Sequence, residues 1–106
     1  METVTLYRPT GPSGFRRWPA RFSWQPIFFP VTNEQYAIEI ARDWNVRDSG
    51  KGFVTKFQVA KSFMEQYEIH QVGTIHHTEW WIPAEDLAQL NDHIVVTIDV
   101  IHELSA

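Results

Sequence analysis

Hydrophobic and polar residues alternate along much of this chain, and the alternation predicts strands. Alternation is clearest over 3–8, where Val4, Leu6 and Arg8 share one face, and over 53–59, where Phe53, Thr55, Phe57 and Val59 share one side. Pro30 confines one of the shorter segments to an edge or an end of a sheet. Six strands are predicted, at 3–8, 27–31, 53–59, 69–75, 78–82 and 94–101.

The best helical pattern follows Thr32. Thr32 and Gln35 have the spacing of a capping box, which starts a helix. Apolar residues then recur with helical periodicity, at Tyr36, Ala37, Ile40, Ala41 and Trp44. This periodicity predicts that the stripe Tyr36, Ile40 and Trp44 packs in the core, and that Asn45 closes the helix before a turn at 48–52.

Shorter elements complete the prediction. Residues 61–67 have the composition of one or two helical turns, and Pro83 is placed to open a short helix with acidic residues in its first turn. The strands do not alternate regularly with long helices, which disfavours a doubly wound parallel sheet. We therefore expect a single α+β domain over 1–106, with a mixed, mostly antiparallel sheet and two or three short helices.

Composition narrows the range of partners. The 106 residues contain no cysteine, which excludes disulfides, thiolate metal sites and cysteine nucleophiles. A net charge of −4 disfavours binding along a nucleic-acid backbone, which needs many Lys and Arg contacts. No signal-peptide pattern or membrane-length apolar run is present, so no membrane partner and a cytoplasmic location are expected.

Arg8 is a candidate binding residue. It shares strand parity with Val4 and Leu6, which places its charge on the expected core side at the end of a strand. A charge in that position needs a partner or a cleft. Its guanidinium group suits a phosphate or a carboxylate, held through two hydrogen bonds. The alternative is an arginine that emerges into solvent or joins an internal salt bridge.

Glu79 is a candidate catalytic residue. It lies beside Trp80 and Trp81 in a predicted strand, where glutamate is disfavoured by propensity and by burial. A carboxylate there suits a general base, an electrostatic stabiliser or an acceptor for a ribose hydroxyl. The alternative is the exposed face of an edge strand.

The adjacent histidines form the string H-H-x-E with Glu79. Imidazole and carboxylate groups are ligands for zinc or iron. Neighbouring residues of a strand point to opposite faces, so only His77 and Glu79 share a side and His76 does not. A metal enzyme built on that pair would need a further histidine, so no metal site is predicted and a histidine pair at a turn is favoured.

Aromatic residues are concentrated around Arg16, Arg17 and Arg21. They offer a stacking wall for a flat ring while the arginines meet phosphates. The alternative is a long loop that fastens itself to the body by burying its rings. The aromatic residues are Phe15, Trp18, Phe22, Trp24, Phe28 and Phe29.

Nearly the whole chain resembles a family of small bacterial proteins labelled "ADP-ribosylation/crystallin J1". The matching segments are TVTLYRPTGP, SGFRRWP, QPIFFPVTNEQYAIEIARDWN, GFVTKFQV, VGTIHHTEWWIPAEDL and NDHIVVTIDVI. The crystallin J1 part of the label implies a large all-helical glycohydrolase with paired aspartates, which this short chain without an Asp-Asp pair does not match. The other part implies a minimal ADP-ribosyltransferase-like domain that uses NAD as its substrate.

That resemblance implies roles for particular residues. Arg8 in LYR would bind a phosphate of NAD, and Phe28 or Phe29 would support the nicotinamide. Glu79 in TEWWIP would be the catalytic carboxylate, which stabilises the positive charge that develops on the ribose. The implied nucleotide-binding set is Arg8, Phe28, Phe29, Tyr36 and His77. The segment between Pro12 and Gly14 is shorter than the family pattern, so the resemblance does not define a lid over Arg8.

Two functions are therefore expected. The first is binding of NAD or an ADP-ribose-like nucleotide in a cleft, with transfer of ADP-ribose or cleavage of NAD. The second is a non-catalytic protein-interaction module, a regulator or an immunity-type partner, because exposed aromatics are enriched at protein interfaces. Geometry distinguishes them: Arg8 and Glu79 in one pocket favour the enzyme, and their separation favours the module.

Overall fold

The computed structural model describes residues 2–11, 17–21 and 24–106, which form an α+β domain. The described strands are β1 (Thr3–Thr10), β2 (Ile27–Phe28), β3 (Lys51–Ala60), β4 (Ile69–Gln71), β5 (Thr78–Trp80), β6 (Ile82–Pro83) and β7 (Ile94–Ser105). The described helices are α1 (Glu34–Ile40), α2 (Val46–Ser49), α3 (Lys61–Met64) and α4 (Leu87–Asp92). A π-helical segment, Ala41–Asn45, joins α1 to α2, and a 3-10 turn, Ala84–Asp86, leads into α4. The α+β class is confirmed.

The strands pair in antiparallel fashion throughout the described ranges. β3 lies between β1 and β7, β2 pairs with β6, and β4 pairs with β5. Val31 connects the three strands β1, β3 and β7 to the β4–β5 pair, because it bridges Tyr7 of β1 on one side and Glu79 of β5 on the other. The Tyr7 N–H donates to the Val31 carbonyl at 3.0 Å, and the Val31 N–H donates back at 2.7 Å. A continuous sheet surface therefore runs from β7 to β4.

The two faces of this sheet bury different sets of side chains. Leu6 belongs to the larger cluster with Trp18, Phe28 and Phe57, which α3 and α4 help to cover. Its neighbour Tyr7 packs on the other face, against a second cluster beneath α1. That second cluster contains Val31, Ala37, Ala41 and Val54. The alternation predicted for 3–8 is thus observed, with Leu6 and Tyr7 on opposite faces.

α1, the π-helical segment and α2 form one long helix, which begins one residue later than the capping box predicts. Asn33 is the N-cap, with extended backbone angles (φ −146°, ψ 156°), and its Oδ1 accepts from the Tyr36 N–H at 2.8 Å. The Thr32 hydroxyl instead forms a hydrogen bond with the Thr78 hydroxyl. The Thr32 cap was therefore wrong, because Thr32 is used to join β5.

The helix also continues past Asn45, where it was predicted to end. The π-helical segment adds a residue to the turn, and the helix ends at Gly50, whose φ of +84° is left-handed. Ala37 and Ala41 are fully buried, while Trp44 is 68% exposed. The prediction that Trp44 packs in the core was wrong, because the wide turn points it to solvent.

Two further strand boundaries differ from the predictions. The strand predicted over 69–75 ends at Gln71, because residues 72–77 form a turn in which the Val72 N–H donates to the His77 carbonyl at 2.9 Å. Pro83 ends β6 and is also the N-cap of the 3-10 turn Ala84–Asp86, which leads into α4, so the short helix predicted to open at Pro83 is confirmed. β7 continues to Ser105. None of the helices in the described ranges has the length and apolar character needed to cross a bilayer.

Candidate functional site

Arg8 lies on the Leu6 face of β1 against two aromatic rings. Its Cζ is 4.3 Å from the centroid of the Phe28 ring and 5.4 Å from that of Trp18. Such contacts between a guanidinium and a ring are attractive. Burial, with a smaller contribution from the positive charge of Arg21, lowers the pKa of Arg8 to about 10. The fold therefore holds this cation in an environment that disfavours its charge.

Arg21 approaches the same aromatic ring. Its Cζ is 5.7 Å from the centroid of Phe28, and its NH2 group donates to the Ile27 carbonyl at 3.3 Å. Burial also lowers the pKa of Arg21. Two arginines from distant parts of the sequence thus converge on one phenylalanine.

Buried N–H donors without acceptors distinguish this cluster. Arg8 Nε, Arg21 Nε and Trp18 Nε1 are all buried and lack a hydrogen-bond partner among residues 2–11, 17–21 and 24–106. None of the ion pairs among the described residues includes either arginine, and the sequence of 12–16 and 22–23 contains no Asp or Glu. Since buried polar groups are nearly always hydrogen-bonded, this excess of donors is chemically suited to an anion.

The backbone of Trp18 is held to helix α4 by one side chain. Asn91 Oδ1 accepts from the Trp18 N–H at 2.7 Å, and Asn91 Nδ2 donates to the Trp18 carbonyl at 2.8 Å. The indole packs against Phe28 and Phe57, with ring centroids 5.6 and 5.2 Å away. A cavity of about 330 Å³ adjoins it, lined by Arg17, Trp18, Pro19, Ala20, Leu87 and Asn91 among others. Trp18 is therefore held in place beside Arg8 and Arg21, which together with Phe28 we call the arginine cluster.

Glu79 is buried in β5, at 9% exposure, and both of its oxygens are engaged. The Tyr36 hydroxyl donates to Oε1 at 3.1 Å, and Trp81 Nε1 donates to Oε2 at 2.9 Å. Burial and the neighbouring Glu79 charge raise the pKa of Tyr36 to about 12. The alternative of an exposed glutamate on an edge strand is therefore not what the structure shows.

Both histidines of the H-H-x-E string turn toward Glu39 of α1. His76 Nε2 lies 2.6 Å from Glu39 Oε2, and His77 Nε2 lies 3.5 Å from the same oxygen. The hydrogen bond from His76 holds the pKa of the Glu39 carboxyl below its usual range. The His77 ring stacks on Tyr36 with centroids 4.6 Å apart. The side-alternation argument did not apply here, because β5 begins only at Thr78.

Sequence analysis did not single out Glu39. The signal that identifies it is its spacing: Glu39 follows Tyr36 by three residues, which puts both on one face of the helix. Without the position of the 72–77 turn, that face could not be matched to the histidines.

The sheet separates the predicted site residues into two groups. Tyr7 is aligned with Glu79 through Val31, so Arg8, the next residue along β1, projects from the other face. One group contains Arg8 and Phe28, and the other contains Tyr36, His77 and Glu79. Arg8 and Glu79 therefore do not line one cleft.

The remaining aromatic candidates contribute less to either group. Phe29 is 42% exposed at the surface, and Trp24 is exposed too. Phe15, Arg16 and Phe22 lie outside the described residues, as does the Pro12–Gly14 segment.

Comparison of the chain with protein-family models, with curated proteins and with solved structures gives no match. The argument for function accordingly uses the geometry of these two clusters.

Proposed function

We propose that this domain binds a small phosphate-bearing ligand, of the NAD or ADP-ribose-like class, at Arg8 and Arg21. The observation that carries the proposal is a set of buried donors without an acceptor in the described part of the chain: Arg8 Nε, Arg21 Nε and Trp18 Nε1. An anion supplies acceptors and negative charge at the same time. A neutral ligand would leave two cations side by side.

Electrostatics favours a ligand with more than one negative charge. The positive charge of Arg21 adds to the burial that lowers the pKa of Arg8, so each cation makes the other less favourable. The cation–π contact with Phe28 offsets the cost of burying the two positive charges by only about 0.5–2 kcal/mol. A diphosphate presents several oxygens to both guanidinium groups, each of which binds phosphate through two parallel hydrogen bonds.

We propose binding without a chemical step that depends on Glu79. Stabilising a developing charge on ribose requires a carboxylate directed at that ribose. Glu79 lies across the sheet from Arg8, and its two oxygens already accept hydrogen bonds from Tyr36 and Trp81. Transfer of ADP-ribose or cleavage of NAD stays a prediction of the family resemblance.

A titration of the labelled protein with NAD, and separately with ADP-ribose, tests the proposal. We expect saturable NMR shifts at the Trp18 indole N–H and at the Nε–H signals of Arg8 and Arg21. Arg8→Gln and Arg21→Gln should each weaken binding at least about tenfold, the equivalent of about 1.4 kcal/mol. Arg47→Gln is the matched control, because Arg47 is an exposed arginine on α2.

Two results would overturn the proposal. One is a folded protein whose spectrum does not change at about 1 mM ligand, which corresponds to less than about 4 kcal/mol of binding. The other is equal weakening by Arg8→Gln and Arg47→Gln, which would mean diffuse charge attraction rather than a site.

A second candidate function is the non-catalytic protein-interaction module. The separation of Arg8 from Glu79 favours it, and so do exposed apolar side chains such as Ile75 at 85% and Trp44. Crosslinking in cells from a photoreactive residue at position 44 tests it, with the exposed Glu103 position as control. One protein captured from position 44 alone supports the module, and equal capture from both positions counts against it.

A further inference from the structure

The geometry points to a binding site for a divalent transition metal, zinc in the first place, formed by Glu39, His76 and His77. This site lies on the face of the sheet opposite Arg8, so it is independent of the proposed nucleotide site. It also differs from the pairing of His77 with Glu79 considered from the sequence, because Glu39 supplies the carboxylate.

The three ligand atoms already lie close together. One atom from each residue falls within 4.8 Å of the others. Bonds of about 2.0–2.1 Å in a tetrahedral zinc site place ligand atoms about 3.4 Å apart. The His77 Nε2–Glu39 Oε2 distance of 3.5 Å matches that spacing, and the 2.6 Å His76–Glu39 hydrogen bond must lengthen by about 0.8 Å.

The ligand types select the metal. Two imidazoles and a carboxylate are a ligand set of catalytic zinc sites, which keep a fourth position for water or substrate. Imidazole nitrogen favours zinc, copper or nickel over magnesium and calcium, which prefer oxygen. We expect zinc to bind and magnesium not to compete.

The surroundings of His76 suit a metal ligand. Its Nδ1 lies 3.1 Å from the Thr74 hydroxyl, so with the metal on Nε2 the Nδ1–H donates to that oxygen. The His76 carbonyl accepts from Asn33 Nδ2 at 2.6 Å, which ties the turn to the start of α1. Metal ligands on both segments are thereby held in position before the metal arrives.

His77 must change one contact when it binds the metal. Its Nδ1 now accepts from the Thr74 backbone N–H at 3.3 Å, which puts the ring proton on Nε2. Binding through Nε2 moves that proton to Nδ1, so the long contact to the Thr74 N–H opens. The Thr74 amide signal therefore reports metal binding directly.

A small cavity of about 130 Å³ lies beside two of the three ligands, Glu39 and His77. It is lined by Tyr36, Glu39, Ile40, Asp43, Trp44 and His77. A metal ion bound to Glu39 and His77 would lie next to this space. The site is therefore open to water or to a small ligand.

Zinc titration of the full chain, after dialysis against a chelator and then metal-free buffer, tests the inference. Competition with a chromophoric chelator gives the affinity, and the Thr74 amide and the histidine ring signals give the location. Glu39→Gln, His76→Gln and His77→Gln should each lower zinc affinity at least about tenfold, since even outer contacts of a metal site contribute about 10–100-fold.

His102→Gln is the matched control. His102 Nε2 lies 3.3 Å from Glu34 Oε1, so it forms a similar exposed histidine–glutamate pair that lacks a second histidine. The His102→Gln protein should bind zinc with the same affinity as the wild type. If a ligand variant fails to fold, the shifts at Thr74, His76 and His77 in the wild type still decide the question.

The inference is overturned if the folded wild type shows no saturable zinc binding at zinc concentrations up to about 1 mM. It is also overturned if zinc binds with shifts confined to other histidines, or if the control variant loses as much affinity as the ligand variants.

Discussion

Arg8 and Glu79 lie on opposite faces of the sheet, although only the segment containing Val31 separates their strands. Tyr7, the neighbour of Arg8, is the residue aligned with Glu79 through two antiparallel bridges. The cluster around Arg8 and Arg21 is therefore separate from the group formed by Tyr36, His77 and Glu79 on the other face. Each can be tested by substitutions that leave the other intact.

Replacing Arg8 with Met should remove nucleotide binding without weakening the fold. Methionine keeps the packing against Phe28 and Trp18 while removing a buried cation that has no anionic partner among the described residues. We expect the free energy of unfolding to stay equal or to rise by about 1 kcal/mol. Urea denaturation measures it, with Arg47→Met as the control. If the unfolding free energy falls as much as it does when a buried apolar side chain is truncated, Arg8 has a stabilising partner within the fold.

Glu79 should behave as a structural residue. Glu79→Ala leaves the Tyr36 hydroxyl and the Trp81 N–H without their acceptor and should cost about 1–3 kcal/mol of unfolding free energy. Glu79→Gln should cost less, because its amide oxygen can accept from Trp81 while its NH₂ donates to Tyr36. Calorimetry with NAD should give wild-type affinity for both variants. Loss of NAD affinity in a folded Glu79→Gln protein would show that the two clusters act together.

Asn91 should support the arginine cluster through Trp18. Asn91→Ala removes both hydrogen bonds, at 2.7 and 2.8 Å, to the backbone of Trp18. We expect a loss of about 1–3 kcal/mol in unfolding free energy and weaker nucleotide binding. Gln89→Ala is the control, since Gln89 is exposed on the same helix. Unchanged ligand affinity in Asn91→Ala would separate Trp18 from the binding site.

Alkaline pH should destabilise the protein through its tyrosines. Burial and a 2.7 Å hydrogen bond to Asp86 raise the pKa of Tyr67, and the pKa of Tyr36 rises from 10.0 to about 12. A raised folded-state pKa gives stability that is complete below the unfolded pKa and is lost as the pH rises through the folded one. We therefore expect stability to fall from about pH 10 upward.

The Tyr67→Phe variant isolates this effect. Its unfolding free energy should change less between pH 9 and pH 11 than that of the wild type. The comparison is needed because Arg8 contributes with the opposite sign: its depressed pKa means that loss of its proton relieves a cost as the pH rises. Parallel pH profiles for wild type and variant would contradict the assigned tyrosine contribution.

Gly52→Ala should destabilise the junction of β3 with the long helix. A Cβ at position 52 would lie 2.7 Å from the carbonyl oxygen of Ala41, a backbone atom that cannot move aside alone. The cost should be about 1–3 kcal/mol, typical of overpacking, and denaturant unfolding measures it. Gly11→Ala is the control, because its Cβ would meet Ser49 Oγ at an ordinary 3.6 Å. Equal effects of the two substitutions would argue against the close approach.

Local pattern was sufficient for part of this structure. Alternation in 3–8 predicted that Arg8 shares a face with Leu6, because strand parity depends only on neighbouring residues. The register that aligns Tyr7 with Glu79 depends on Val31, a contact between distant segments that parity along one strand does not contain. Nothing local therefore showed that Arg8 and Glu79 face apart.

The error at Trp44 has a similar origin. Helical periodicity predicts a buried Trp44 when every turn has 3.6 residues. The π-helical segment breaks that count beside Gly52, where the helix backbone comes close to β3. Glu39 was missed for a related reason, because its partners come from a turn 37 residues away along the chain.

The bridge Tyr7–Val31–Glu79 makes the boundary between the two clusters only one layer of backbone thick. Within the described ranges, side chains on its two sides share no hydrogen-bond partner, so the free-energy effects of changing both sides should sum, as they do for independent positions. Either cluster can then acquire or lose a ligand without compensating changes in the other. The same small domain can thus be reshaped at one face by selection or by design while the opposite face keeps its chemistry.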